Sequence, residues 1–354
     1  MCIFLHIMRS QLSFHDIIRA VENNSDIFKW FYTVRGLPIP KFITGIRGTG
    51  KSTFLFALRE QLIDEGVPHE NILVVDTDDP DLRRRTTHEQ MLDHIFKALP
   101  SEGKSYILIR EAAALPDPEI VIGTLAASAR REIFATSSSR RLLDRGLAGY
   151  FASQLAHYEM LPQETNRHYS LADARSRWND IFINDVLAPS RILEVSFTGR
   201  IAGWLSDHLG EPVSLRGIAN AISPARRVLS PHTIESYLAS LEDAHLVEKV
   251  IRWEITEDAP LTRGYRYFFT DPELRLAYFG PAPQDEIRKM ALNRAWLHLR
   301  RGAEEIFFAT GSPDIDFITR TNDTYRYWRV ADDGSVKNLK RRPRNLARSL
   351  RSSS

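Results

Sequence analysis

Cysteine is all but missing. Cys2 is the only one in 354 residues, so no disulfide can close within the chain and no cysteine-built zinc site is available. Charge imbalance is missing too. The 47 Lys and Arg stand against 45 Asp and Glu, a net charge of +2, so total charge gives no sign of a general polyanion binder. No stretch approaches the roughly 20 apolar residues of a membrane span. The opening run Met1–Met8 is apolar but short, with neither a charged start nor a small-residue cleavage site, so it is not read as a secretory signal. These absences point to a soluble protein of a reducing cytoplasm. What is present suffices for a sizeable core: 43% of residues are hydrophobic, and the length suits two or three domains.

Two patterns alternate through the first half. Lys41–Gly45 is a β-branched run ending in glycine, and Phe54–Glu65 carries Phe54, Leu55, Leu58 and Leu62 at helical spacing. Gly66 and Pro68 stop that helix. Strands are then expected at Asn71–Val75, Ser105–Ile109 and Glu132–Ala135, with helices at Thr87–Leu99 and Ile120–Arg130 between them. Apolar runs alternating with amphipathic helices predict an α/β fold, a parallel sheet covered by helices on both faces.

The chain is polar and poorly periodic over Gln163–Asn179, read as a linker or lid, and helical over Ile181–Leu209. Val213–Leu246 reads as three short helical segments, broken at Ser223-Pro224 and Ser230-Pro231. Strand-like runs follow at Val247–Ile255 and Tyr265–Phe269. Three helices and a two-stranded wing form the layout of a winged helix. A helix at Ile287–Arg301 and strands near Glu305–Ala309, Ile315–Thr319 and Tyr325–Val330 come next. Lys337–Ser354 is basic without an acid and is read as a disordered tail. The domain expectations are a helical lead-in (1–40), a P-loop NTPase domain (41–162), linker or lid helices (163–209), a winged helix (210–280), a small α/β domain (281–333) and a basic tail (334–354).

One motif carries chemistry. Gly45-Ile46-Arg47-Gly48-Thr49-Gly50-Lys51-Ser52, followed by Thr53, satisfies G-x-x-x-x-G-K-[ST] between a strand and a helix. Glycine reaches backbone conformations closed to other residues, so several amides can converge on a phosphate. The helix start near Lys51 adds its positive dipole end. Lys51 is expected to reach the β- and γ-phosphates, and Ser52 to ligate Mg²⁺. The expected ligand is ATP.

The partner strand departs from the pattern. A P-loop enzyme needs a carboxylate near the end of a neighbouring strand to hold Mg²⁺. Tyr106–Ile109 is the matching strand, and Arg110 follows it, then Glu111. An arginine there supplies positive charge and repels a metal. Glu111 stands where a general base for water would sit. Triphosphate binding is therefore expected, with weak or absent Mg²⁺-dependent hydrolysis. The alternative is that Glu111, or an acid within Asp76–Asp81, takes over the metal. Thr136–Ser139 ends the fourth strand, where a hydroxyl can touch the γ-phosphate or cap a turn; Arg140 and Arg141 follow.

These residues resemble the bacterial and archaeal group of AAA-type ATP-binding proteins with a C-terminal domain of unknown function. The likeness runs from about Phe42 to Val330. Ile43–Thr53 (ITGIRGTGKST), Asn71–Asp79, Tyr106–Glu111 (YILIRE) and Ala135–Ser139 (ATSSS) match its motifs, with Arg110 where the family has Asp and Ala135-Thr136 lacking its glycine. Downstream, Ser230–Val247, Tyr267–Gly280, Leu292–Gly302, Asp314–Ile318 and Tyr327–Val330 match as well. The last three resemble the remains of a restriction-endonuclease-like core, which implies that fold for 281–333. Asp316 keeps one acid; Leu292, Arg329 and Ala331 occupy the other positions, which argues against nuclease activity. The glycine-arginine stretch after the sensor region is poorly matched at Gly149–Glu164.

The winged helix raises DNA as a partner, with Ser230–Leu246 in the major groove, His232, Thr233, Ser236 and Tyr237 facing outward, and Arg216, Arg226 and Arg227 on phosphates. Glu235, Glu242 and Asp243 on the same helix do not suit phosphate contact, and winged helices also bind proteins. Lys337–Arg351 is a second basic candidate for nucleic acid or an acidic surface. Related ATPases assemble with a subunit's arginine reaching its neighbour's phosphate, so a homo-oligomer is a further expectation.

Overall fold

The structure is a computed structural model and describes residues 25–339 apart from 86, 148–150, 152–153, 163–168, 191–193, 224–228 and 313. The chain divides into two compact units, 1–163 and 164–354. No helix among the described residues is long and apolar enough to cross a membrane.

The first unit is a five-stranded parallel sheet between helices. Its elements are α1 (Ser25–Val34), β1 (Lys41–Thr44), α2 (Lys51–Asp64), β2 (Ile72–Asp76), α3 (His88–Ala98), β3 (Ser105–Arg110), α4 (Pro118–Ala126), β4 (Arg131–Ser137) and β5 (Ala156–Glu159). The strand order is β2-β3-β4-β1-β5. The period of two along each strand sorts side chains between the faces. Ile43, Tyr106, Leu108 and Phe134 join Ile27 and Phe31 of α1 and Phe54, Leu58 and Leu62 of α2 in one core. Phe42, Ile107, Ile109, Ile133 and Ala135 join Met91 and Ile95 of α3 and Val121, Ile122 and Leu125 of α4 in the other. All four β1 residues are buried, as befits a strand covered on both faces.

The expected boundaries hold within a few residues where caps mark them. Thr87 Oγ1 accepts from Gln90 N at 3.3 Å and starts α3 one residue later than expected. α4 begins at Pro118 and ends at Ala126, short of the expected Arg130. β5 was not expected at all. It pairs in parallel with the outer side of β1, Lys41 opposite Ala156 and Thr44 opposite Glu159. Four residues reading AHYE give too little pattern to announce a strand.

The order places β1 where the chain reverses its path across the sheet: β2, β3 and β4 lie to one side, β5 to the other. Ligands of open parallel sheets bind at the carboxyl ends of strands at such a reversal. The opposite end is pinned by a buried ion cluster. Glu132, at the start of β4, receives Lys41 Nζ at 3.0 Å, Lys104 Nζ at 2.6 Å and the Gly36 N–H at 2.8 Å.

The second unit opens with α5 (Leu171–Ile181), which lies inside the stretch expected to be a linker. Ser170 caps it, accepting from Asp173 N. A π-helical turn, Phe182–Leu187, continues it. Then come α6 (Val195–Asp207), α7 (Leu215–Ile222), α8 (Pro231–Asp243), β6 (Val247–Glu254), β7 (Ala259–Phe269), α9 (Pro272–Phe279), α10 (Glu286–Arg300), β8 (Glu305–Thr310), β9 (Phe317–Thr321), β10 (Thr324–Val330) and β11 (Val336–Leu339). β6 and β7 form the expected antiparallel hairpin. β6 also pairs in parallel with β8, Ile251 opposite Phe307, so the hairpin and the later strands share one six-stranded sheet ordered β11-β10-β9-β8-β6-β7. Trp253, Ile255, Phe307, Ile315 and Ile318 pack on that sheet, and Phe268 stacks on Trp296 of α10 at 5.6 Å.

Two expectations need correcting. Composition reads as a disordered tail from Lys337, yet Val336–Leu339 is β11, paired with Tyr327–Val330. Its register is fixed by edge pairing to β10, which composition does not reveal. Tyr237 was expected to face outward and is 8% exposed, with Ile234, Leu238 and Leu241 buried beside it.

Candidate functional site

The loop Gly45–Gly50 joins β1 to α2 at the carboxyl end of the sheet. Gly45, Gly48 and Gly50 have φ of 141°, 80° and 105°. That is the region glycine enters without steric penalty. Gly45 is also required for space: a Cβ there would stand 2.2 Å from the Met160 carbonyl oxygen. Met160, just past β5, donates its N–H to Thr44 O at 2.7 Å, so the chain after β5 closes against the loop's first residue.

Lys51 opens α2 and is 4% exposed. Its Nζ donates to Gly45 O at 2.6 Å and Ile46 O at 3.1 Å, which folds the ammonium back over the loop. Thr49 Oγ1 donates to Ile46 O at 3.1 Å and tightens the turn. Ile46 is buried, while Arg47, Ser52 and Thr53 are half-buried. The orphan N–H groups of the first turn of α2, the dipole's positive end and Lys51 thus converge on one place. A chain of phosphates fits such a cradle.

A divalent cation does not fit beside it. Arg110, the last residue of β3, donates from Nε to Ser52 Oγ at 3.2 Å and from Nη1 to Asp76 Oδ2. β2 and β3 pair in parallel with Asp76 opposite Arg110, which brings the two side chains together. Arg110 Nη2 lies 3.9 Å from Asp78 Oδ2. So the expected metal-binding hydroxyl and a carboxylate of the Asp76–Asp81 group are both taken by one guanidinium.

Glu111 takes a strained backbone, φ 47° and ψ 57°. Its carboxylate accepts from Ser138 N at 2.7 Å and from Ser138 Oγ at 2.8 Å. Its own N–H donates to Thr136 Oγ1 at 3.3 Å. A non-glycine residue held in the left-handed region costs about 1–3 kcal/mol and is most often kept at functional sites. The ends of β3 and β4 are thereby tied together beside the loop. Thr77 Oγ1 adds bonds to the carbonyls of Arg110 and Glu111 at 3.0 and 3.2 Å.

Around this centre, Ser137 and Ser139 bond each other, Ser137 Oγ donating to Ser139 O at 2.9 Å and Ser139 N to Ser137 Oγ at 3.0 Å. Arg140 pairs with Glu159 of β5 at 2.7 Å. Thr44 Oγ1 lies 2.8 Å from His157 Nε2. Residue reasoning missed Met160, His157 and Glu159. They reach Gly45, Thr44 and Arg140 because β5 adds itself to β1, and no motif marks them.

The other candidates lie in the second unit. Asp316 accepts from Arg288 Nη2 and, at 2.7 Å, from Val330 N, so both carboxylate oxygens serve the fold. Among the described residues no group of three or more His, Cys, Asp and Glu is placed to hold a metal ion. His232 and Ser236 are exposed at the start of α8, as is Arg216 on α7. Arg226 and Arg227 lie outside the described residues, as does the tail beyond residue 339.

Residues 38–167 match the family model described as an AAA domain. An uncharacterized protein of Haemophilus influenzae is 25% identical over 328 residues, 82% of this chain and 82% of its own length. Among solved structures, AMPPCP-bound DnaA from Aquifex aeolicus matches 62% of this chain and 87% of its own at 16% identity, with a TM-score of 0.28. The RuvB Holliday junction branch migration motor of Thermotoga maritima matches 68% and 90% at 11% identity, with a TM-score of 0.29. Likenesses that distant transfer no activity to this chain.

Proposed function

We propose that this protein binds ATP at Gly45–Thr53 and acts as a nucleotide-dependent switch with weak or absent hydrolysis. The observation that carries the reading is the single guanidinium of Arg110 spanning Ser52 and Asp76 at the mouth of the phosphate cradle. Lys51 and the first-turn amides supply what phosphates need. The groups that would hold a hydrolytic metal are engaged with Arg110. Glu111, which follows Arg110, has its carboxylate oxygens engaged by Ser138 N and Oγ. Occupancy of the loop would pull on Arg110 and Glu111, the two residues that link β2, β3 and β4, and so alter the end of the sheet.

The test is nucleotide binding and single-turnover phosphate release by wild type, Lys51→Ala and Arg110→Asp. Tight binding without brisk release by wild type, binding lost in Lys51→Ala and release gained in Arg110→Asp is the expected set. Brisk Mg²⁺-dependent release by wild type would overturn the weak-hydrolysis part.

A second reading, DNA binding by residues 210–280, is favoured by α7, α8 and the β6–β7 hairpin; the middle one of the three expected helical segments, between Ser223 and Ser230, falls largely outside the described residues. The exposed start of α8 with His232 and Ser236 would face the groove. A gel shift that weakens with salt and with neutralisation of Arg226 and Arg227 supports it; no shift at low salt removes it. In either reading, a protein partner or self-assembly would be the means by which the nucleotide state is read out.

A further inference from the structure

We infer that the nucleotide is held without a divalent metal, with the Arg110 guanidinium as the counter-cation of the β- and γ-phosphates. This rests on the reading of Gly45–Thr53 as a nucleotide site and specifies the form of its ligand: free ATP rather than its magnesium complex.

The geometry is built for that exchange. The Arg110 side chain is 27% exposed and that of its partner Asp76 24%, so the pair is reachable from solvent. Its Nε is already bonded to the hydroxyl of Ser52, one residue past the lysine that cradles phosphate. Guanidinium carries five N–H donors in a planar fork and never loses its charge, so it can keep Ser52 and Asp76 and still donate to phosphate oxygens. A metal would have to evict it: Mg²⁺ demands near-octahedral oxygen ligands at about 2.1 Å, and Ser52 Oγ is shared with a fixed cation.

Arg110 and Lys51 bring two positive charges to this corner and Asp76 and Asp78 two negative ones, so metal-free phosphates claim the guanidinium in competition with its carboxylate partners. The carboxylates that a metal would seek are directed to Arg110, with Asp78 Oδ2 3.9 Å from its Nη2.

The experiment measures binding of a fluorescent ATP derivative to the full chain in excess EDTA and in excess Mg²⁺. Binding in EDTA at least as tight as in Mg²⁺ is expected. Arg110→Met should weaken binding in EDTA by about ten- to a hundredfold, the loss of charge-assisted phosphate contacts. Arg110→Asp should bind in Mg²⁺ better than in EDTA, reversing the preference; if that variant does not fold by circular dichroism, Arg110→Met decides. Wild-type binding that needs Mg²⁺, or Arg110→Met binding as tightly as wild type in EDTA, overturns the inference and leaves the nucleotide site standing. No binding in either buffer overturns the nucleotide reading itself, and this inference with it.

Discussion

Arg110 and Ser52 are 58 positions apart in the chain, and their side chains meet at 3.2 Å where a P-loop protein would place its metal. Ser52 sits at the start of α2, which follows β1, and Arg110 at the end of β3; β4 separates β1 from β3 in the sheet. The contact exists because both elements deliver their ends to the same edge. Ser52 Oγ is thereby a hydrogen-bond acceptor for the Arg110 guanidinium.

Lys51 is the first test of the cradle. Lys51→Ala removes two bonds to loop carbonyls and the charge that would face the phosphates. A hydrogen bond to a charged group contributes about 1.5–3 kcal/mol. We expect ATP affinity to fall roughly a hundredfold by isothermal titration, with an unchanged far-ultraviolet dichroism spectrum. Retained affinity would move the nucleotide site elsewhere.

Gly45→Ala tests the packing beneath the cradle. At φ 141° an alanine is strained, and its methyl would strike the Met160 carbonyl at 2.2 Å. The atom it meets is backbone, pinned by the bond from Met160 N to Thr44 O, so it cannot swing aside. The expected loss is about 2–4 kcal/mol in urea unfolding. A substitution neutral in stability would show that the loop rearranges at little cost.

Glu132 gives the fold an acid sensitivity. Burial alone raises a carboxyl, but Lys104, the Gly36 N–H and Lys41 outweigh it and hold Glu132 below its ordinary value of 4.5. Because the folded value is the lower one, the unfolded chain binds the proton first as pH falls. The stabilisation is complete above about pH 4.5 and fades as pH drops through the depressed folded value. Glu132→Gln should lose roughly 3–5 kcal/mol near neutrality, since it leaves Lys41 buried beside a neutral amide. Its stability should also vary less with pH in the acid range. An equal acid slope in both proteins would rule the cluster out as the source.

Asp316 is expected to hold the second unit together. Asp316→Ala strips Arg288 of a carboxylate and leaves the Val330 N–H without its acceptor. A drop of about 2–4 kcal/mol in denaturant unfolding is the expected result. Plasmid nicking with Mg²⁺ or Mn²⁺ that is present in wild type and absent in the variant would instead assign Asp316 to catalysis.

Much of this was legible from residue order, for reasons that are local. The glycines at 45, 48 and 50 announce positive φ because no other residue enters it so cheaply, and all three adopt it. β1 and β3 announce themselves because they are buried on both faces and carry apolar centres, Phe42-Ile43 and Tyr106–Ile109. β5 and β11 stayed hidden because each is four residues long and owes its existence to a neighbouring edge. Tyr237 shares the apolar face of α8 with Ile234, Leu238 and Leu241, which helical spacing indicates, and that whole face is buried.

What residue order determined by itself was the phosphate cradle and the presence of an arginine where a carboxylate was expected, since both depend on residue type within a short stretch. What only the tertiary structure decided was where that arginine's charge goes. Parallel pairing set Asp76 opposite Arg110, and the packing of α2 beside the end of β3 put Ser52 within reach. Contacts between elements tens of residues apart depend on how strands order themselves in the sheet, and that order is a property of the packed whole.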